Sequence, residues 1–124
     1  MKLSTYITIA AIVTFVYAVG LLFFPAQFIG NFGITLDAGA TVITRLLGSI
    51  LFANAVFYWM VRNLPASNAA LNALLWTSVL LNVINGIVIA MGISNGVGNN
   101  TSWGTVAVNA IFALASLYFV TKKR

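Results

Sequence analysis

Arg45 is the side chain of this sequence most capable of chemistry, because it is the one cation placed inside an apolar run rather than at the end of one. Ionisable groups within membrane-spanning segments are costly and are candidates for function. A guanidinium there could bind an anionic ligand, a lipid phosphate or a carboxylate of a partner. The structural alternative is that Arg45 extends to the membrane surface or bonds to helix-end carbonyls and nearby asparagines.

Asparagines inside the apolar runs are the second polar feature, and they stand at Asn54, Asn82, Asn85 and Asn109. An amide in hydrocarbon seeks a hydrogen-bond partner on another helix. Asn82 and Asn85 are three residues apart and therefore share one face of a helix. If Asn82, Asn85 and Asn109 face inward together with Arg45, these four side chains line a predicted ligand-binding pocket in the outer leaflet. The alternative is that these amides only join helices.

Small side chains allow helix backbones to approach closely in a membrane, and they recur here at a spacing of about one helical turn. The candidate helix-packing residues are Gly48, Ser49, Ala53, Gly86 and Ala90.

The inventory of reactive side chains argues against an enzyme. The chain has no cysteine, no histidine and one acidic residue, Asp37. It therefore lacks a thiolate nucleophile, a base that titrates near neutral pH and a pair of carboxylates. We predict no catalytic residue, no metal and no cofactor. The absence of any carboxylate inside the apolar runs also argues against a proton-coupled exporter.

The elements that carry these residues are four apolar runs in a chain of 124 residues that is 61% hydrophobic and 6% charged. Each run supplies about the twenty residues needed to cross a bilayer. We predict an all-α fold with one membrane domain over residues 1–124, an antiparallel bundle of four transmembrane helices. The helices are predicted at about 3–24, 38–61, 69–92 and 103–120. The first run continues through Phe24, which favours a retained helix over a cleaved signal peptide.

Local sequence marks the ends of these helices. Pro25 stops the first, Asp37 is predicted to cap the second, and Ser67 or Asn68 the third. Gly92 and the polar residues after it are predicted to end the third helix. The segment 25–36 mixes aromatic and branched residues with glycine and asparagine, which predicts a short interfacial turn; a re-entrant segment is the alternative.

The net charge of +5 is distributed as a topology signal rather than as a nucleic-acid patch. In a four-crossing arrangement the cations of the helix ends lie on one side, which is then cytoplasmic and holds both termini. These cations are Lys2, Arg62, Lys122, Lys123 and Arg124.

Four short motifs carry a resemblance to a known group. They are Gly20-Leu21-Leu22-Phe23-Phe24-Pro25-Ala26-Gln27-Phe28, Phe32-Gly33-Ile34, Arg45-Leu46-Leu47-Gly48 and Trp59-Met60-Val61-Arg62. They resemble a widespread group of uncharacterised bacterial four-helix membrane proteins, over roughly half of the chain. The resemblance implies this fold and the bacterial cytoplasmic (inner) membrane. It draws attention to Arg45 and Gly48 and supplies no catalytic residue.

Two classes of function follow. In the first, the protein is a non-enzymatic membrane component, a subunit or accessory protein that contacts the bilayer and either a membrane-protein partner or copies of itself. In the second, the pocket around Arg45 binds or transports a small amphiphile or an anionic lipid. We favour the first, because each polar residue also has an adequate structural explanation.

Overall fold

The computed structural model of this protein describes residues 1–122. Within that range it is all-helical, with five helices and no strand, which confirms the predicted fold class. The helices are α1 (Leu3–Phe23), α2 (Pro25–Gly30), α3 (Ala38–Val61), α4 (Ala69–Ser94) and α5 (Ser102–Thr121). Lys123 and Arg124, which the charge pattern assigned to a cytoplasmic tail, lie outside the described residues.

Four of these helices, α1, α3, α4 and α5, are long and apolar enough to cross a membrane. The shortest has 20 residues. At about 1.5 Å per residue it spans the hydrocarbon layer of about 30 Å. The chain has two compact parts, described separately below: an N-terminal unit of residues 4–62 with α1, α2 and α3, and a C-terminal unit with α4 and α5.

Side-chain caps set the starts of α3 and α4. A carboxylate oxygen of Asp37 accepts a hydrogen bond of 2.7 Å from the backbone N–H of Ala40, as predicted. Of the two candidates for α4, Asn68 is the cap, and its side-chain oxygen accepts from the N–H of Ala70 at 2.9 Å. These acceptors satisfy N–H groups that have no partner within the helix.

Helix α4 ends at Ser94, two residues beyond the end predicted at Gly92. Gly96, with φ +79°, is the residue that takes the left-handed conformation. The N–H of Gly96 donates to Ile93 O and that of Val97 donates to Gly92 O. This pair of bonds is the Schellman motif, in which a residue just after the helix takes the left-handed conformation. Glycine adopts that conformation at little cost because it has no Cβ. Gly92 is therefore helical, and Gly96 ends the helix.

The N-terminal unit is built on antiparallel packing of α1 against α3. Gly48 of α3 lies against Leu22 of α1 so closely that a Cβ there would be 2.9 Å from the Leu22 nitrogen. Further along, the rings of Phe15 and Phe52 meet with centroids 5.6 Å apart. As the numbers rise along α3 they fall along α1, so the two helices run in opposite directions.

Helix α2 turns back onto the end of α1. Phe24 leaves the helical conformation with φ −131° and ψ 47°, and Pro25 begins α2 without needing an N–H donor. The Phe28 ring then covers Gly20, where a Cβ would lie 2.3 Å from a ring carbon. Tyr17 meets the same ring edge-on at 5.3 Å. The predicted short interfacial segment is thus a six-residue helix anchored by one aromatic side chain.

Candidate functional site

Arg45 is exposed, and it forms no hydrogen bond or ion pair with any residue between 1 and 122. Gly48 packs on Leu22, and Arg45 lies one turn nearer the start of α3, so Arg45 is level with the end of α1. In a bilayer whose hydrocarbon layer of about 30 Å is filled by the 21 residues of α1, a guanidinium at this level reaches the headgroups.

A chain of three polar side chains joins α4 and α5 in the C-terminal unit. The Ser116 hydroxyl on α5 donates to the Ser78 hydroxyl on α4 at 2.8 Å. The Asn82 amide nitrogen donates to the Ser78 carbonyl at 2.8 Å and to its hydroxyl at 3.2 Å. Ser78 and Ser116 are 2% and 0% exposed. Inside hydrocarbon such bonds satisfy groups that water cannot reach, so Asn82 belongs to a contact between helices.

Asn109 occupies a second point of the same helix contact. Its amide nitrogen donates to the carbonyl of Thr105, one turn earlier on α5, at 2.8 Å. Its side chain is buried, and a Cβ added to Gly86 of α4 would lie 3.7 Å from the Asn109 Cβ. The absence of a side chain at Gly86 therefore leaves room for Asn109 against α4.

Asn85 and Asn54 are half-buried, and their side chains form no hydrogen bond within the part of the chain that the structure describes. Of the four residues of the predicted pocket, Arg45 lies in the N-terminal unit, and Asn82, Asn85 and Asn109 lie in the C-terminal unit. The structure connects Asn82 to two serines that the sequence did not single out, because a serine in an apolar helix carries no distinguishing signal.

The predicted packing residues have different environments. Gly48 is buried against α1, and Gly86 lies beside α5. Ala90 is half-buried, whereas Ser49 and Ala53 are exposed on α3. The Ser49 hydroxyl donates back to the Leu46 carbonyl of its own helix at 2.7 Å. Small residues thus lie both inside the described contacts and on a free face.

The free face of α3 carries a stripe whose members are spaced alternately four and three residues apart. We call it the α3 stripe, and it consists of Val42, Leu46, Ser49, Ala53, Val56 and Met60. All six side chains are exposed, Met60 to 73%. A spacing of about 3.5 residues is that of helices that pack side by side along their length.

An apolar groove of about 300 Å³ opens between α1 and α3 in the N-terminal unit. We call it the α1–α3 groove; its lining residues are Ala11, Ile12, Phe15, Ala55, Val56 and Trp59. No sequence pattern indicated this groove, since alanines and large apolar residues occur throughout all four apolar helices.

At the ends of α3 and α5 a cationic side chain lies over an aromatic ring. The Arg62 guanidinium lies over the Trp59 ring, 3.8 Å from its centre, and donates a hydrogen bond to the Trp59 carbonyl. The Lys122 ammonium lies 5.4 Å from the centre of the Tyr118 ring. Such pairs suit the interface between hydrocarbon and water, where a ring is partly buried and a cation is hydrated. Within residues 1–122 no group of three or more His, Cys, Asp or Glu side chains could hold a metal ion.

Comparison with protein families matches residues 8–124 to a domain of unknown function, DUF8292. The chain belongs to the DUF8292 family. The prediction of an uncharacterised family is confirmed at that level. The DUF8292 match begins within α1 and includes α2, α3, α4 and α5, so it covers the groove, the α3 stripe and the contact between α4 and α5. Searches of curated proteins and of solved structures return no match.

Proposed function

We propose that this DUF8292 protein is a non-enzymatic, multi-pass component of the bacterial cytoplasmic membrane, which acts through contacts with partner helices or with copies of itself. Four helices of spanning length support the membrane location. The inventory of one acidic residue and no cysteine or histidine supports a role without catalysis.

The observation that carries the proposal is the α3 stripe. Of the most apolar 18 residues of each helix, 11% are buried in α3 and 39% in α1. Yet the middle of the α3 stripe is formed by Ser49 and Ala53, although large side chains such as Ile50 are exposed beside it. In a bilayer small residues at such a position let a second helix approach closely, and the gain is van der Waals contact. A face made only to meet lipid needs no such residues.

Binding around Arg45 has less support as a function. The amide nitrogens of Asn82 and Asn109 donate to Ser78 and Thr105, close by in the C-terminal unit. Arg45 is level with the end of α1, where a guanidinium reaches the headgroups by itself. The geometry therefore favours structural roles for these side chains.

Disulfide cross-linking in membranes tests the α3 stripe, and the chain has no native cysteine to interfere. Ala53→Cys places a thiol on the stripe, and Leu47→Cys places one on another exposed face of α3, because six residues of helix leave the two side chains about 120° apart. We expect oxidation to trap Ala53→Cys as a dimer, or photo-cross-linking at that position to trap a single membrane protein, with little product at position 47. Equal yields at both positions would contradict a specific helix contact.

The orientation proposed for the chain has both termini in the cytoplasm, which the cations Lys2, Arg62 and Lys122 support. Single cysteines at Asn63 and Val97, both exposed between spans, test it with a thiol reagent that does not cross membranes. We expect labelling of intact cells at position 97 only. Labelling at position 63 alone would show the opposite orientation, with both termini outside the cytoplasm.

A further inference from the structure

The lining of the α1–α3 groove suits a segment of one hydrocarbon chain. Its volume of about 300 Å³ is at the lower end of the range of small-molecule sites, about 300–1,000 Å³, and its lining is alanine, isoleucine, valine and aromatic side chains. Since α1 and α3 are antiparallel, Phe15 and Ala55 lie at one end of the groove and Ala11 and Trp59 at the other, about one helical turn away. Trp59 belongs to the last turn of α3, so a hydrocarbon segment in the groove would run along the two helices towards the end of α3.

A cation lies at the Trp59 end of this groove. Trp59 lines the groove, and the guanidinium of Arg62 is stacked on its ring at 3.8 Å. The hydrogen bond from Arg62 to the Trp59 carbonyl uses one of the five N–H donors, and the others can receive a planar or tetrahedral oxyanion. Trp59 therefore both lines the apolar groove and contacts the Arg62 cation.

Among residues 1–122 no carboxylate forms an ion pair with Arg62. The only acidic residue is Asp37, and it caps the opposite end of α3, 24 helical residues away. That distance is about 36 Å. A half-buried arginine without a nearby side-chain carboxylate is complementary to a lipid phosphate.

We propose that the α1–α3 groove and Arg62 together bind one anionic phospholipid, with an acyl chain in the groove and the phosphate on the guanidinium. Within a bilayer an acyl chain gains no hydrophobic energy by entering the groove, because it leaves an equally apolar environment. Selectivity among lipids therefore follows the headgroup charge and resides in Arg62, while the groove determines that a single lipid is held.

Native mass spectrometry of the full chain in mild detergent tests the site with two lipids of identical acyl chains, phosphatidylglycerol and phosphatidylcholine. We expect one retained phosphatidylglycerol per chain. Arg62→Gln should lower its occupancy relative to phosphatidylcholine about tenfold, which corresponds to about 1.4 kcal/mol. Ile12→Trp, at the exposed rim of the groove, should lower the occupancy of both lipids.

Matched controls separate this site from ordinary boundary lipid. Arg45→Gln removes another exposed cation, and Ile43→Trp enlarges another exposed isoleucine, and neither touches the groove. Both should bind lipid like the wild type. Equal losses in the controls, or a loss with Arg62→Gln but none with Ile12→Trp, would overturn the proposal. If millimolar inorganic phosphate displaces phosphatidylglycerol, Arg62 binds a free anion rather than a lipid phosphate. Circular dichroism of each variant verifies that the helices are retained.

Discussion

Replacement of Gly48 by alanine is expected to destabilise the N-terminal unit, although alanine is the better helix former. The added Cβ would lie 2.9 Å from the Leu22 nitrogen and 3.0 Å from the Leu21 Cβ. Ordinary van der Waals contact begins at 3.4 Å. Helix α1 would therefore have to move away by several tenths of an ångström, and its backbone cannot rotate aside as a side chain can.

The size of the effect follows from two opposing contributions. Overpacking of a close contact costs about 1–3 kcal/mol. The change from glycine to alanine within a helix stabilises by about 1 kcal/mol. Since the obstacle at Gly48 includes main-chain atoms, we expect the cost to exceed the gain and the free energy of unfolding to fall by about 1 kcal/mol.

Gly86→Ala is the matched control, because it makes the same substitution in another spanning helix. Its Cβ would lie 3.7 Å from the Asn109 Cβ, which is ordinary contact. Only the helix-forming gain remains, and we expect stabilisation by up to about 1 kcal/mol. The two variants should therefore shift the stability in opposite directions.

Unfolding with sodium dodecyl sulfate in mixed micelles measures both shifts, followed by circular dichroism and tryptophan fluorescence. Trp59 reports on the N-terminal unit, and Trp76 and Trp103 report on the C-terminal unit. If Gly48→Ala unfolds at the same or a higher detergent fraction than the wild type, the close approach of α1 and α3 at this residue is wrong.

Two further predictions concern the C-terminal unit. A double-mutant cycle of Ser78→Ala and Ser116→Ala should give a coupling energy of about 0.6 kcal/mol, the mean for hydrogen bonds between membrane helices, and zero coupling would argue against the bond. Gly96→Ala should destabilise by about 1–2 kcal/mol because of its left-handed conformation, with φ +79°. Gly92→Ala has open space around the new Cβ and should stabilise by about 1 kcal/mol. Thermal unfolding of the Gly96 and Gly92 variants measures the two shifts, and shifts of the same sign would refute this prediction.

Local features of the sequence were sufficient for the helices themselves. Apolar runs of spanning length, the acceptor side chains of Asp37 and Asn68 and the break at Pro25 act on neighbouring residues in the chain. Their effects therefore need no knowledge of the fold. The end of α4 shows the limit, since Gly92 and Gly96 have the same local signal and only the backbone conformation distinguishes them.

The resemblance motifs acquired a physical meaning only in the structure. In the sequence Gly20, Phe28 and Gly48 are separate residues of the motifs. In the structure the Phe28 ring packs on Gly20, and Gly48 allows the close approach of α3 to α1. Arg45 stood out in the sequence because cations are rare in apolar runs. Its level at the end of α1 depends on the register of two helices, which periodicity cannot supply.

The sequence by itself determined an all-α chain with four helices of spanning length, the cap at Asp37 and the absence of the side chains that most enzymes use, because composition and short-range spacing fix these properties. Only the tertiary structure decided which polar groups meet. Ser78 and Ser116 are 38 residues apart and bond only because α4 and α5 pack together. The groove likewise arises from α1 and α3 lying antiparallel. In an apolar helix every face has a similar composition, so the contact partners depend on close packing and register, which no single helix encodes.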